Sequence, residues 1–191
     1  MRVVAGELRG RRLVAPSGSS TRPTADRVRE ALFSILGDVS GARVLDLFAG
    51  SGALGLEAAS RGAESVVLVE RDRGAAKVAQ RNAEAVAKSG AARALVEQVA
   101  ASTFLQRSGR RFDLVFIDPP YDLPDADLTA VLIDLAPLLM HPATVVVERA
   151  RKAGPLDPPG DLALERTRDY GDTTLHFLTT TGAATDRVRQ P

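Results

Sequence analysis

Four consecutive residues, Asp118-Pro119-Pro120-Tyr121, combine a carboxylate, two residues of fixed φ without a backbone N–H, and an aromatic ring. They close the apolar run FDLVFID, which places them at the carboxyl end of a strand, where open α/β sheets bind ligands. Because proline removes donors, this corner offers acceptors and suits a substrate that arrives as an N–H donor. The exocyclic amine of a nucleic-acid base is such a group. Its lone pair is delocalised into the ring, so a catalyst must hold the nitrogen in line with an electrophile and draw off its protons. Asp118 and the proline-fixed carbonyls can accept those hydrogen bonds, and Tyr121 provides a face on which the base can stack.

A second constellation lies in VLDLFAGSGALGLEAA, where Gly50, Gly52 and Gly55 have G-x-G-x-x-G spacing between a strand-like run and a helix-like one. Glycines there let the chain turn tightly and bring bare backbone against a ligand. The next apolar run, SVVLVE, ends at Glu70, 24 positions after Asp46, and an acid at that strand end can accept both hydroxyls of a ribose. These features leave a nicotinamide dinucleotide and S-adenosylmethionine both open, since each carries an adenosine. Nothing in nicotinamide chemistry requires Asp-Pro-Pro-Tyr, so the tetrapeptide favours S-adenosylmethionine.

The elements that must position these groups follow from periodicity. From Thr24 to Leu36 the apolar residues Val28, Leu32, Phe33, Ile35 and Leu36 recur at helical spacing, with Thr24 as the expected N-cap and Gly37 as the stop. Beyond it ARVLDLF, SVVLVE, ALVEQV, FDLVFID and ATVVVE are separated by helix-length segments, the pattern of an α/β fold with a mostly parallel sheet covered on both faces. LALERTRDY and TTLHFLTT are separated by Gly171 and Asp172 alone, which permits only an antiparallel pair. Residues 2 to 14 suggest a short hairpin around Gly6 and Gly10, Pro16 to Ser20 a connector, and residues 182–191 a frayed polar tail.

With 191 residues, 45% hydrophobic and 26% charged, the chain can build the packed core of one domain, which sets aside disordered and fibrous classes. The absence of cysteine excludes disulfides, thiolate metal sites and cysteine nucleophiles, and His141 and His176 alone do not make a metal centre, so no metal is expected. No apolar run approaches membrane-spanning length, so no membrane partner and a cytoplasmic location are expected. Net charge is +1, yet residues 1–29 hold seven arginines against Glu7 and Asp26, a local +5 that leaves −4 for the remainder. Such asymmetry turns one end toward a polyanion. Arg9, Arg11, Arg12, Arg22, Arg27 and Arg29 are the candidate phosphate contacts, with Arg22-Pro23-Thr24 alternatively a cover for the cofactor.

Together the glycine loop, the acid after the second strand and Asp-Pro-Pro-Tyr resemble the class I methyltransferases that act on base amines. RVVAGELRGRRL, RPTADRVREALFSIL and the closing YGDTTL resemble the bacterial RsmD family, the 16S ribosomal RNA guanine-N2 methyltransferases, over nearly the whole chain to about residue 180. The resemblance implies a seven-stranded Rossmann-like fold with an antiparallel last strand, S-adenosylmethionine as donor, and a guanine of the small ribosomal subunit, or of an assembly intermediate, as acceptor. Carried over by position, it assigns Asp46, Phe48, Ala49, Gly50, Ser51 and Gly52 to the methionine side of the cofactor. Glu70, with Arg71 beside it, goes to the ribose, and Asp118, Pro119, Pro120 and Tyr121 to the target amine. Where many relatives place a polar or acidic residue near the adenine amine, this chain has Ala100, leaving backbone at Ala101 and apolar contact to hold the adenine. On this reading residues 1–23 are a basic arm and 24–181 the methyltransferase domain. The rivals are an adenine-amine methyltransferase on DNA or RNA, a nicotinamide-dependent oxidoreductase, and a non-catalytic RNA-binding or assembly module. A DNA enzyme would need a target-recognition domain that this length does not hold.

Overall fold

The computed structural model describes residues 1–15, 23–88 and 93–182. The connector Pro16 to Ser20, Arg22 and residues 183–191 of the expected tail lie outside the described residues. Helix α1 (Pro23–Leu36) is followed by β1 (Arg43–Asp46), α2 (Ala53–Ser60), β2 (Ser65–Val69), α3 (Arg73–Ala87), β3 (Ala94–Glu97), α4 (Ala101–Arg107), β4 (Phe112–Ile117) and α5 (Asp125–Leu135). Strands β5 (Leu139–Ala150), β6 (Leu162–Tyr170) and β7 (Thr173–Thr180) complete one seven-stranded sheet in the order β3-β2-β1-β4-β5-β7-β6. The pairs among β1 to β5 are parallel; β7 is antiparallel to both β5 and β6, so it alone runs against the rest.

Successive side chains of the central strands enter opposite layers, as the twofold period of a strand requires. Val44, Leu68, Leu114, Phe116 and Val146 pack with Phe33 of α1, Leu56 of α2 and Val86 of α3. Leu45, Val67, Val115, Ile117 and Val145 pack with Phe104 of α4 and Leu132 of α5. Burial on both faces explains why the parallel strands read as unbroken apolar runs. Among the described residues no helix is long and apolar enough to cross a membrane.

Two expectations at the N-terminal end change. Helix α1 begins at Pro23, so Thr24 lies inside it and is not its cap; proline suits the first helical turn because its missing N–H has no partner there anyway. The segment 2–14 does fold back on itself, with backbone bonds from Val3 N to Arg11 O (2.9 Å), Gly10 N to Val3 O (2.9 Å) and Leu13 N to Met1 O (3.0 Å). Its β pairing, however, is limited to a bridge between Arg2 and Arg12. The physical reason is competition from α2. The N–H groups of Val4 and Ala5 donate to the Glu57 carboxylate at 2.7 and 2.9 Å, and that of Glu7 to the Ser60 carbonyl at 2.8 Å. Val3, Leu8 and Leu13 are buried in the same layer as α1 and α2, so the arm is part of the packed body.

Candidate active site

Strands β1 to β5 run to the same edge, and an acidic residue stands at or just beyond the apolar run of each: Asp46, Glu70, Glu97, Asp118 and Glu148. The glycine loop is built over this edge. Leu47 N donates to Phe116 O and Ala49 N to Val69 O, both at 2.9 Å, so the chain leaving β1 stays tied to its two neighbours. It then turns through Gly50 and Gly52, at φ +55° and +81°. Gly55 serves packing: a Cβ there would stand 2.4 Å from Leu68 Cδ2 and 2.9 Å from Val66 Cγ1, so α2 could not lie this close to β2.

Two carboxylates hold the loop. Glu70 accepts Gly50 N–H at 2.8 Å on one oxygen and Asp72 N–H at 2.7 Å on the other, while Asp72 caps α3 by accepting Ala75 N–H at 2.8 Å. A carboxylate has about four acceptor sites, so Glu70 keeps capacity for two ribose hydroxyls, and it is only half-buried. Asp46 is 1% exposed and accepts Gly55 N–H at 3.0 Å. Burial raises it to about 7, the Gly55 bond pulling it down and the charges of Asp118 and Glu70 pushing it further up. It therefore shapes the loop from beneath. Phe48 and Gly50 are half-buried, Ala49, Ser51 and Gly52 are buried, and Arg71 is exposed beside Glu70. Ala101 begins α4, where first-turn N–H groups lack intrahelical partners, which suits the expected backbone contact to adenine.

Beyond β4, Pro119 is buried while Asp118 and Pro120 are exposed and Tyr121 is 68% exposed, its ring open as a stacking platform. The Pro120 carbonyl accepts Leu123 N–H at 3.0 Å in the turn leading to α5, which shifts the acceptor role toward Asp118 and Pro119. Pro119, Pro120, Tyr121, Leu128, Glu148 and Arg149 line one cleft of about 410 Å³, including space open to solvent. Asp118, which directly precedes the cleft-lining prolines, is exposed yet crowded by protein on its other sides, and the resulting desolvation raises it. Glu148 is raised by burial first and by the charge of Asp118 second, against a hydrogen bond from Thr173. Arg149, 7% exposed, is ion-paired with Asp125 at the start of α5 and donates to the Pro155 carbonyl at 3.4 Å. Among the described residues no cluster of three histidine or acidic side chains is placed to hold a metal ion.

The candidate phosphate contacts separate. Arg9, Arg12 and Arg27 are exposed and Arg11 is half-buried. Arg29 is 4% exposed: it pairs with Asp26 at 2.9 Å, lies 3.6 Å from Glu57, and donates to the Arg2 carbonyl. That interior place takes it out of the phosphate-binding set. Glu57, Asn82 and Glu148 also belong to this edge or its supports and were not among the residues singled out by sequence. Asn82 is buried and joins the arm to the cofactor loop, accepting Val14 N–H at 2.9 Å and donating to the carbonyls of Val14 (2.9 Å) and Ser51 (3.0 Å). Only for Glu148 did a signal exist, since it ends its apolar run as the other strand-end acids do.

A parallel sheet with one reversed strand, a glycine loop after β1 and Asp-Pro-Pro-Tyr after β4 define an enzyme of the Rossmann-like, class I methyltransferase kind. Comparison narrows the class: the chain belongs to the family described as Conserved hypothetical protein 95, whose model matches residues 1–179. Ribosomal RNA small subunit methyltransferase D of Escherichia coli (strain K12) is 38% identical over 178 residues, 93% of this chain and 88% of that protein. YlbH of Bacillus subtilis (strain 168) is 38% identical over 177 residues, 91% of this chain and 95% of that one. The solved structure of yhhF from Escherichia coli superposes with a TM-score of 0.82 at 33% identity, covering 96% of this chain and 99% of that chain.

Proposed function

We propose that this protein transfers a methyl group from S-adenosylmethionine to the exocyclic N2 amine of a guanine in 16S ribosomal RNA, acting in the cytoplasm on the small subunit or an assembly intermediate. The observation that carries the chemistry is the juxtaposition at one sheet edge of a glycine loop held by Glu70 and an Asp118-to-Tyr121 corner with its ring exposed. The relatives named as ribosomal RNA small subunit methyltransferases support the RNA. The guanine follows from the family resemblance.

The donor set fits the cofactor: backbone from Phe48 to Gly52 for the methionine end, the remaining acceptor capacity of Glu70 for the ribose, and the start of α4 for the adenine. Bound there, S-adenosylmethionine supplies an electrophilic methyl group on a sulfonium sulfur. A guanine splayed from its RNA, at a cost of a few kcal/mol, stacks on Tyr121. Asp118 accepts an amine N–H and so aims the nitrogen lone pair. As the nitrogen–carbon bond forms and the carbon–sulfur bond breaks, the nitrogen becomes positive, and Asp118 stabilises that charge until the proton leaves. No covalent enzyme intermediate is required.

The test is to separate binding from transfer. Asp118→Ala is expected to lower transfer by about 10²–10⁴ while affinity for S-adenosylhomocysteine, measured by calorimetry, stays within about threefold, because the loop is held by Glu70 and Asp46. Comparable loss of both contradicts the role given to Asp118.

A further inference from the structure

Beside Asp118 the cleft is lined by a carboxylate, Glu148, that the transfer step leaves unused. Strands β4 and β5 are in parallel register with Phe116 opposite Val146 and Ile117 opposite Val147, so the next position along each sets Asp118 beside Glu148. Glu148 lines the same cleft as Pro119, Pro120 and Tyr121, feels the charge of Asp118, and is bonded by Thr173 of β7. The cation that follows Glu148 on β5, Arg149, is already paired with Asp125. Among the described residues no ion pair involves Asp118 or Glu148, and two neighbouring carboxylates are costly unless donors meet them.

A guanine offers that complement. Its Watson–Crick edge presents two adjacent donors, the N1–H and the N2 amine, whereas adenine presents an N1 acceptor beside its amine. We propose that Glu148 is a specificity-determining residue that accepts the N1–H of the target guanine while Asp118 accepts the N2–H. The pair thereby selects bases whose ring nitrogen next to the amine carries a proton. This assignment rests on the guanine-N2 reading above. In the free protein, repulsion within the pair favours retention of a proton; two N–H donors on the base favour the ionised forms, and that proton passes to solvent on binding.

The test uses a base analogue. Once the nucleotide methylated by the wild-type protein has been identified in small subunits, the RNA is rebuilt by ligation with guanosine or 2-aminopurine riboside at that position and assembled into subunits. 2-Aminopurine keeps the amine and lacks the N1 proton. Wild-type protein is expected to prefer guanosine by at least about 100-fold in single-turnover kcat/KM, because the analogue leaves a carboxylate without its donor. In Glu148→Gln the amide can turn either its N–H or its oxygen to N1. The preference should then fall at least about tenfold below the wild-type ratio, with S-adenosylhomocysteine affinity within about threefold. The O6 that the analogue also lacks affects both proteins alike and cancels in the comparison.

Retention of the full preference in Glu148→Gln, or an equal loss on both bases, overturns the assignment and leaves Glu148 a structural partner of Thr173. Should that variant not fold, the wild-type ratio decides alone: no preference for guanosine overturns the proposal. A wild-type product other than N2-methylguanosine instead overturns the reading on which it rests.

Discussion

A carboxyl group at 1% exposure must be neutral or compensated, and Asp46 has one compensating bond, from Gly55 N–H. Its folded value of about 7 stands above the usual 3.8. Between those two values the folded protein keeps a proton that the unfolded chain has released, so this group's contribution lowers stability as pH rises through that window and stays lowered above about 7. Asp46→Asn keeps an acceptor for Gly55 and removes the titration. Thermal denaturation at pH 5 and pH 8 should therefore differ less in the variant than in the wild type; an unchanged difference contradicts the assigned cause. The glycine loop, Glu70 and Asp118-to-Tyr121 were legible in sequence because each is a short run whose meaning is local. Glu148 acquires a role only when β5 is known to lie beside β4. Arg29 was misplaced because sequence displays its charge and conceals Glu57, 28 positions away, which lies 3.6 Å from it in the interior.

Elements were legible where one periodicity dominated. The parallel strands and the β6–β7 hairpin announce themselves through apolar runs and a two-residue turn. The arm did not, because its backbone donors are spent on side chains of α2 that no local pattern reveals. Glu57 is fully buried and gathers Val4 N–H, Ala5 N–H and the Arg61 guanidinium at 2.7 to 2.9 Å, with Arg29 beside them. Glu57→Ala leaves two backbone donors without their acceptor and takes from Arg29 and Arg61 the carboxylate they share, and should cost about 3–5 kcal/mol, read by chemical denaturation. A loss under about 1 kcal/mol would mean the arm is held by its apolar contacts alone. Gly6→Ala probes the same contact differently: a Cβ there would stand 1.9 Å from the Ser60 carbonyl at φ +80°, so the arm must lift from α2. Faster proteolysis within residues 1–15, with the body intact, is the expected result, and an unchanged cleavage rate contradicts the docked geometry.

At the scale of the whole molecule the charge asymmetry read from sequence survives with fewer members. Arg9, Arg12 and Arg27 remain exposed for phosphate, and Asn82 links the arm to the cofactor loop through Val14 and Ser51. Replacing the three exposed arginines with alanine should weaken RNA binding and reduce the slope of log affinity against log salt by about 2, at roughly 0.7 per single-strand phosphate contact. An unchanged slope removes this face from the RNA platform. Purified protein is incubated with labelled S-adenosylmethionine and small ribosomal subunits lacking the modification; the RNA is digested and the methylated nucleoside identified by mass spectrometry. N2-methylguanosine is expected from the wild type and none from Asp118→Ala, whereas a methyl group on any other base, or the same product from both proteins, contradicts guanine-N2 transfer through Asp118.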